Sequence, residues 1–257
     1  MGFLSCKIEN QIALAAIQRP PANALSSELV AEIDEWLTSV EHDADVRVLL
    51  IHGEGRFFSA GADIKEFTEI KDGKAFGEHA KKGQRVFERI ETFSKPIIAS
   101  IHGAALGGGL ELAMSCHIRY VSETAKLGLP ELQLGLVPGF AGSQRLPRYV
   151  GIPKATEMLL TSEPISGAEA VQWGLVNQAF PEEEVFEKSK ALARKIAKKS
   201  PVSVKAALDL LQYAKTADFQ QGVDKEAEWF GEVFSSKDAK EGIEAFIQKR
   251  TPVFKGE

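Results

Sequence analysis

Three short apolar runs constrain this chain more than any other feature. They are Ile12 to Ile17 (IALAAI), Val46 to Ile51 (VRVLLI) and Pro96 to Ile101 (PIIASI), with Ile118 to Val121 a weaker fourth. Each is rich in β-formers and lacks the polar alternation of a half-exposed strand, so each reads as a strand covered on both faces. Between the first two, Ser26 or Ser27 can cap a helix that carries Leu29, Ile33, Trp36, Leu37 and Val40 on one side. A second amphipathic helix is expected over roughly 75–90. Strand, helix and strand in alternation imply a parallel sheet with right-handed crossovers. A chain of 257 residues is long enough to bury one main core.

Beyond Gly142 the pattern changes to helices separated by turn signals. They are expected at Ile152 to Leu160, Ser166 to Trp173, Glu182 to Ala197, Pro201 to Ala214, Phe219 to Phe234 and Lys237 to Lys249. Only a short strand near Val176 to Phe180 interrupts them. The Ser200-Pro201 break marks a boundary between a main unit over 1–199 and a helical appendage over 200–257.

The stretch Ala105 to Met114, ALGGGLELAM, places three glycines and one carboxylate in the most apolar part of the chain. Glycine weakens a helix by about 1 kcal/mol relative to alanine, and an unpaired buried carboxylate costs more, so packing alone would select neither. Phe57 to Asp63 and Gly103 to Gly109 are built alike, each putting small residues between a buried strand and a helix. Small residues let a ligand approach the backbone, and amides at a helix start lack intrahelical partners. Such loops can bind an anion, or they can simply permit tight turns. Neither GxxxxGK followed by Ser or Thr nor GxGxxG occurs, which removes the main support for nucleotide chemistry.

Glu111, on the helix opened by the glycines, and Glu131, after Pro130, both sit in apolar company. Burial and mutual repulsion raise the pKa of at least one member of such a pair, which suits acid–base work. The competing reading has each glutamate capping a helix or pairing with an arginine such as Arg119 or Arg145.

Other chemistries find little support. A net charge of −5 argues against broad nucleic-acid binding. Cys6 and Cys116 are too few for a disulfide framework, and the five histidines show no metal-ligand spacing. No secretory or myristoylation signal opens the sequence, and His102, Glu111 and several glycines interrupt the one long apolar segment. A cytoplasmic protein that does not span a membrane is expected.

Taken together, AGADIKEF (60–67), ALGGGLELAMSC (105–116), LPELQLGLVPGFAGSQRLPR (129–148) and KRTPVFK (249–255) resemble the enoyl-CoA hydratase, or crotonase, family over nearly the whole chain. The resemblance implies an α/β fold, a spiral of repeated ββα units with a C-terminal helical trimerisation region, assembling as a homotrimer or homohexamer. It implies that the amides of Ala62 and Gly108 form an oxyanion hole for an acyl-CoA thioester. Glu111 would then activate water, and Glu131 would supply the α-carbon proton. Ala60, Asp63, Ile64, Lys65, Gly139, Phe246 and Lys249 would contact substrate or its CoA arm. CoA enters as part of the substrate, and no separate cofactor or metal is implied.

Two positions depart from the family pattern. His117 replaces a frequent Asp, and Phe140 puts bulk where small residues are common, which bears on acyl-chain length. The implied reaction is hydration of a trans-2-enoyl-CoA to the 3-hydroxyacyl-CoA, as in fatty-acid β-oxidation. The alternatives are an enoyl-CoA isomerase, a branched-chain enoyl-CoA hydratase, a thioester hydrolase, or a non-catalytic relative that binds RNA or acyl-CoA.

Overall fold

A computed structural model describes residues 2–68, 72–215 and 219–257. The main sheet runs in the order β1 (Leu4–Glu9), β2 (Ile12–Ile17), β3 (Val48–Gly53), β4 (Ile97–Ile101), β6 (Ile118–Ser122), β9 (Gln178–Phe180). From β2 onward all neighbours are parallel, and only the β1–β2 hairpin is antiparallel. The continuous apolar runs have a direct cause. On one face α1 (Ser27–Glu41), α3 (Gly73–Glu91) and α4 (Gly108–Ser115) build the larger core with Ala13, Ala15, Leu49, Ile51 and Ala99. On the other, α7 (Glu182–Ala197) packs Ala193 and Ala197 against Ile12, Leu14, Val48, Leu50 and Ile98.

A second sheet, β5 (Ala104–Leu106), β7 (Lys126–Gly128) and β8 (Ile165–Ser166), takes up part of 103–109, where the sequence predicts a loop. Its strands have two or three residues, too few to carry a periodic signal. β5 and β7 form where the chain turns sharply after β4 and β6 and pairs with the preceding turn, and β8 follows α5 and joins β7 antiparallel. Isolated parallel bridges, Leu25 with Ala62 and Ser59 with Ala105, continue this second layer. Each turn of the molecule is thus a long strand, a short strand or bridge, and a helix. The two look-alike loops are successive turns lying side by side.

The cap expected near Ser26 is present, with Ser26 Oγ accepting from the Leu29 N–H. The helix start at Gly142 and the helix from Ile152 join into α5 (Gly142–Thr161), with non-helical angles only at Gly151. Two short helices, α2 (Ile64–Phe67) and α6 (Gly167–Gln172), complete the main unit. The C-terminal helices are α8 (Pro201–Lys215), α9 (Phe219–Ser235) and α10 (Lys237–Ile247). Buried Asp238 accepts from Ser200 Oγ and from the Lys255 and Gly256 amides, while Arg47 donates to the Phe254 carbonyl. The final residues are therefore tied back to the main sheet.

Candidate active site

The site forms where two successive turns end. Leu25 donates to the Gly61 carbonyl and accepts from the Asp63 N–H, so the parallel bridge uses the groups on either side of Ala62. The N–H of Ala62 itself points away from that bridge. Gly108 is the first residue of α4, where a backbone N–H has no intrahelical acceptor. The loops approach closely at Gly109, where a Cβ would lie 2.3 Å from the Ser59 carbonyl oxygen. Only glycine fits there, which explains one member of the glycine run.

Ala62 and Gly108 border a cavity of about 180 Å³, together with Ala60, Ile64, Glu111, Glu131 and Gly139. Seven positions singled out in the sequence thus meet at one wall. Glu111 projects from α4 and is 1 % exposed. Its Oε1 accepts from the N–H groups of Phe140 at 2.8 Å and Gly142 at 2.7 Å. Burial pushes its carboxyl up to about 7, against those N–H groups and with help from the charge of Glu131. Glu131 opens a short 3-10 turn over Glu131–Leu134, and burial raises its carboxyl too. Its Oε2 is buried without a hydrogen-bond partner among the described residues.

Neither carboxylate takes an arginine, so the pairing alternative fails. Arg119 donates to the carbonyls of Ala113, Cys116 and Leu175. Arg145 donates to the Phe140 carbonyl and to Glu91, which also pairs with Lys215 of α8.

Four candidates lie outside the cavity wall. Asp63 caps α2 by accepting from the Lys65 N–H and pairs with Arg19. Lys65 is exposed on α2 beside Ile64. Phe246 near the end of α10 is 85 % exposed, and Lys249 lies just beyond that helix. Sequence reading missed the wall supplied by α3, where Phe76, His79 and Ala80 face the cavity and Gln84 donates to the Gly139 carbonyl. The amphipathic pattern located the helix without indicating which polar residues turn inward. It also missed the Phe140 and Gly142 amides, because backbone donors leave no side-chain signature.

Residues 7–257 match the family described as enoyl-CoA hydratase/isomerase. The chain belongs to the enoyl-CoA hydratase/isomerase family. A probable enoyl-CoA hydratase of Bacillus subtilis is 57 % identical over the full length of both chains. The short-chain-enoyl-CoA hydratase of Clostridium acetobutylicum is 41 % identical, covering 94 % of this chain and 93 % of its own. Among solved structures, an enoyl-CoA hydratase from Bacillus anthracis superposes with a TM-score of 0.95 at 35 % identity, covering 99 % of this chain and 100 % of that one. The ββα architecture expected from the resemblance is the fold of the family, and the C-terminal region is helical as expected. Among the described residues no cluster of three or more His, Cys, Asp or Glu could hold a metal ion. No helix among them is long and apolar enough to cross a membrane.

Proposed function

We propose that this family member is an enoyl-CoA hydratase that adds water syn across a trans-2-enoyl-CoA to give the 3-hydroxyacyl-CoA. The observation that carries the reading is the pair Glu111 and Glu131, both pushed toward protonation, bordering the same cavity as Ala62 and Gly108. The thioester oxygen accepts from the Ala62 and Gly108 N–H groups, which stabilise the negative charge that develops there as the enolate forms. Glu111 as carboxylate takes a proton from water, whose oxygen bonds to the β-carbon. Glu131 as carboxylic acid gives its proton to the α-carbon. One proton shared by the pair is the competent state, and burial favours it by opposing two simultaneous charges.

The CoA arm lies along 60–65, with Lys65 placed for a phosphate. Exposed Phe230, Phe234, Phe246 and Ile247 support reading residues 200–257 as a trimerisation region distinct from 1–199. Large apolar side chains exposed together on the C-terminal helices are what contact with another copy would cover. In a homotrimer or homohexamer, Phe246 and Lys249 would reach the substrate from a neighbouring copy. An isomerase can work with one carboxylate, so the second favours hydration. The acidic net charge disfavours an RNA-binding role. We place the protein in the cytoplasm and its reaction in fatty-acid β-oxidation.

Purified protein mixed with crotonyl-CoA tests the reading. Loss of the ultraviolet absorbance of the conjugated enoyl thioester without release of free thiol is the expected result. Thiol release would replace hydration by thioester hydrolysis, and unchanged absorbance would overturn hydration of this substrate.

A further inference from the structure

Two cavities share one wall. The reaction cavity of about 180 Å³ lies on one side of Phe140. On the other side a cleft of about 490 Å³ runs between α1 and α3, with Leu25, Val30 and Val86 among its apolar lining. Phe140 borders both, with His79 of α3 beside it.

The ring is fixed between them. It is 7 % exposed and meets Phe87 edge to face, with centroids 5.2 Å apart. Its Cδ2–Cε2 edge faces Gly108, where a Cβ would lie 3.4 Å away. Its Cδ1–Cε1 edge faces Gly83 of α3, where a Cβ would fall 2.4 Å from Cε1. No side chain fits at 83 while the ring is there, so glycine in α3 is what allows the phenyl group to lie across the passage.

Resting on the hydratase reading above, we propose that the Phe140 side chain sets the upper acyl length. It closes the reaction cavity against the cleft between α1 and α3, and a smaller side chain at 140 opens that cleft to the tail of a longer 2-enoyl thioester. On that reading the reacting β-carbon lies beside Glu111, whose Oε1 accepts from the Phe140 N–H, and Glu111 and Phe140 line the same cavity. The 180 Å³ cavity is below the roughly 300–1,000 Å³ of a drug-sized ligand pocket, which suits a short acyl group. The cleft offers the missing room. Its charged members are Asp34, Lys82, Arg85 and Arg89, of which Asp34 and Arg89 pair at 2.7 Å. Leu25, Val30, Ala31 and Val86 supply the apolar side of the cleft that an alkyl tail would follow. A methylene that fits or fails to fit an apolar pocket discriminates by about 10–200-fold, so several carbons beyond the ring give a measurable selectivity.

The test compares kcat/KM for trans-2-butenoyl-CoA and trans-2-decenoyl-CoA in the wild type, Phe140→Leu and Phe140→Ala. The wild type is expected to favour the four-carbon substrate by at least about tenfold, and Phe140→Ala to move the ratio toward the ten-carbon substrate by about tenfold or more, with Phe140→Leu between. Any shift of Glu111 lowers both rates, so the ratio within each variant isolates the wall. Calorimetric binding of butanoyl-CoA and decanoyl-CoA reads the same ratio without turnover. An unchanged ratio in variants that still hydrate butenoyl-CoA overturns the length role and leaves the hydratase reading intact. A wild type that hydrates neither substrate overturns that reading, and the binding ratio then decides the wall alone. A wild type that prefers decenoyl-CoA also overturns the proposal.

Discussion

Arg145 Nη1 donates to the carbonyl of Phe140 at 2.8 Å, so the residue whose N–H holds Glu111 is itself held at its other end. Arg145 in turn meets Glu91 at 2.9 Å, with both side chains largely out of solvent. Burial alone would raise the Glu91 carboxyl, but Lys215 and Arg145 outweigh it and keep it below its ordinary value. A line of charge and hydrogen bonds thus runs from α8 to the Glu111 carboxylate.

Arg145 is therefore expected to act as a positioning residue. Arg145→Met should lower kcat more than it changes KM, because the 140–142 turn loses its anchor while the CoA arm is untouched. Glu91 keeps Lys215, so the lost contact should cost about 1.5–3 kcal/mol of stability, the usual worth of a hydrogen bond to a charged group. Steady-state kinetics at several substrate concentrations check the split, and an unchanged kcat in a folded variant would remove Arg145 from the positioning line.

Glu111→Gln and Glu131→Gln should each fold and each lose about 10² to 10⁴ of turnover, the usual worth of a positioned acid or base. The amide oxygen at 111 can still accept from Phe140 and Gly142, so the fold has no reason to change. Near-wild-type hydration by either variant, with circular dichroism confirming the fold, would refute the assigned roles.

The raised Glu111 pKa makes the protein's stability fall with pH. The folded value, about 7, lies above the ordinary value of 4.5, so its stabilising contribution is complete below 4.5 and is lost as pH rises through about 7. The total is on the order of 3 kcal/mol. Denaturant titrations between pH 4.5 and 8 should show a shallower decline in Glu111→Gln. In the wild type kcat/KM should be bell-shaped, with both limbs belonging to the glutamate pair rather than to either residue.

His117 works in the opposite direction. Its Nδ1 accepts from the Ile97 N–H, its Nε2 is buried without a partner among the described residues, and burial pushes its pKa from 6.5 down to about 4. The folded value lies below the ordinary one, so the contribution is complete above 6.5 and is lost as pH falls toward 4. His117→Asn, which keeps an acceptor but does not titrate, should lose less stability than the wild type over that window. Parallel acid-unfolding curves for the two proteins would contradict this.

Gly109→Ala should destabilise by about 1–3 kcal/mol, because the added methyl meets the Ser59 carbonyl oxygen at 2.3 Å and must force the two loops apart. Hydration should fall with it, since those loops carry Ala62 and Gly108. Thermal melting and crotonyl-CoA turnover of the purified variant check both effects. A variant as stable and active as the wild type would show that the loops yield without consequence.

The apolar runs at Ile12, Val46 and Ile97 were legible as doubly covered strands because both faces truly are covered, by α1, α3 and α4 on one side and α7 on the other. Glu111 and the glycines stood out for the same kind of reason: a charge and flexible residues in an apolar stretch oppose folding unless something compensates. Sequence also located α1, α7 and the C-terminal helices, whose amphipathic period is a local property. It did not contain the second sheet, whose strands are stabilised by the turn before them and carry almost no period of their own. Nor did it decide whether Glu111 pairs with an arginine. That depended on Arg145 turning to Glu91 and Phe140, and on two backbone amides 29 and 31 residues away reaching Glu111 instead. Local patterning thus determined which segments are buried and which residues are out of place there. Only tertiary contacts, made between groups distant along the chain, decided which partner each of those residues takes.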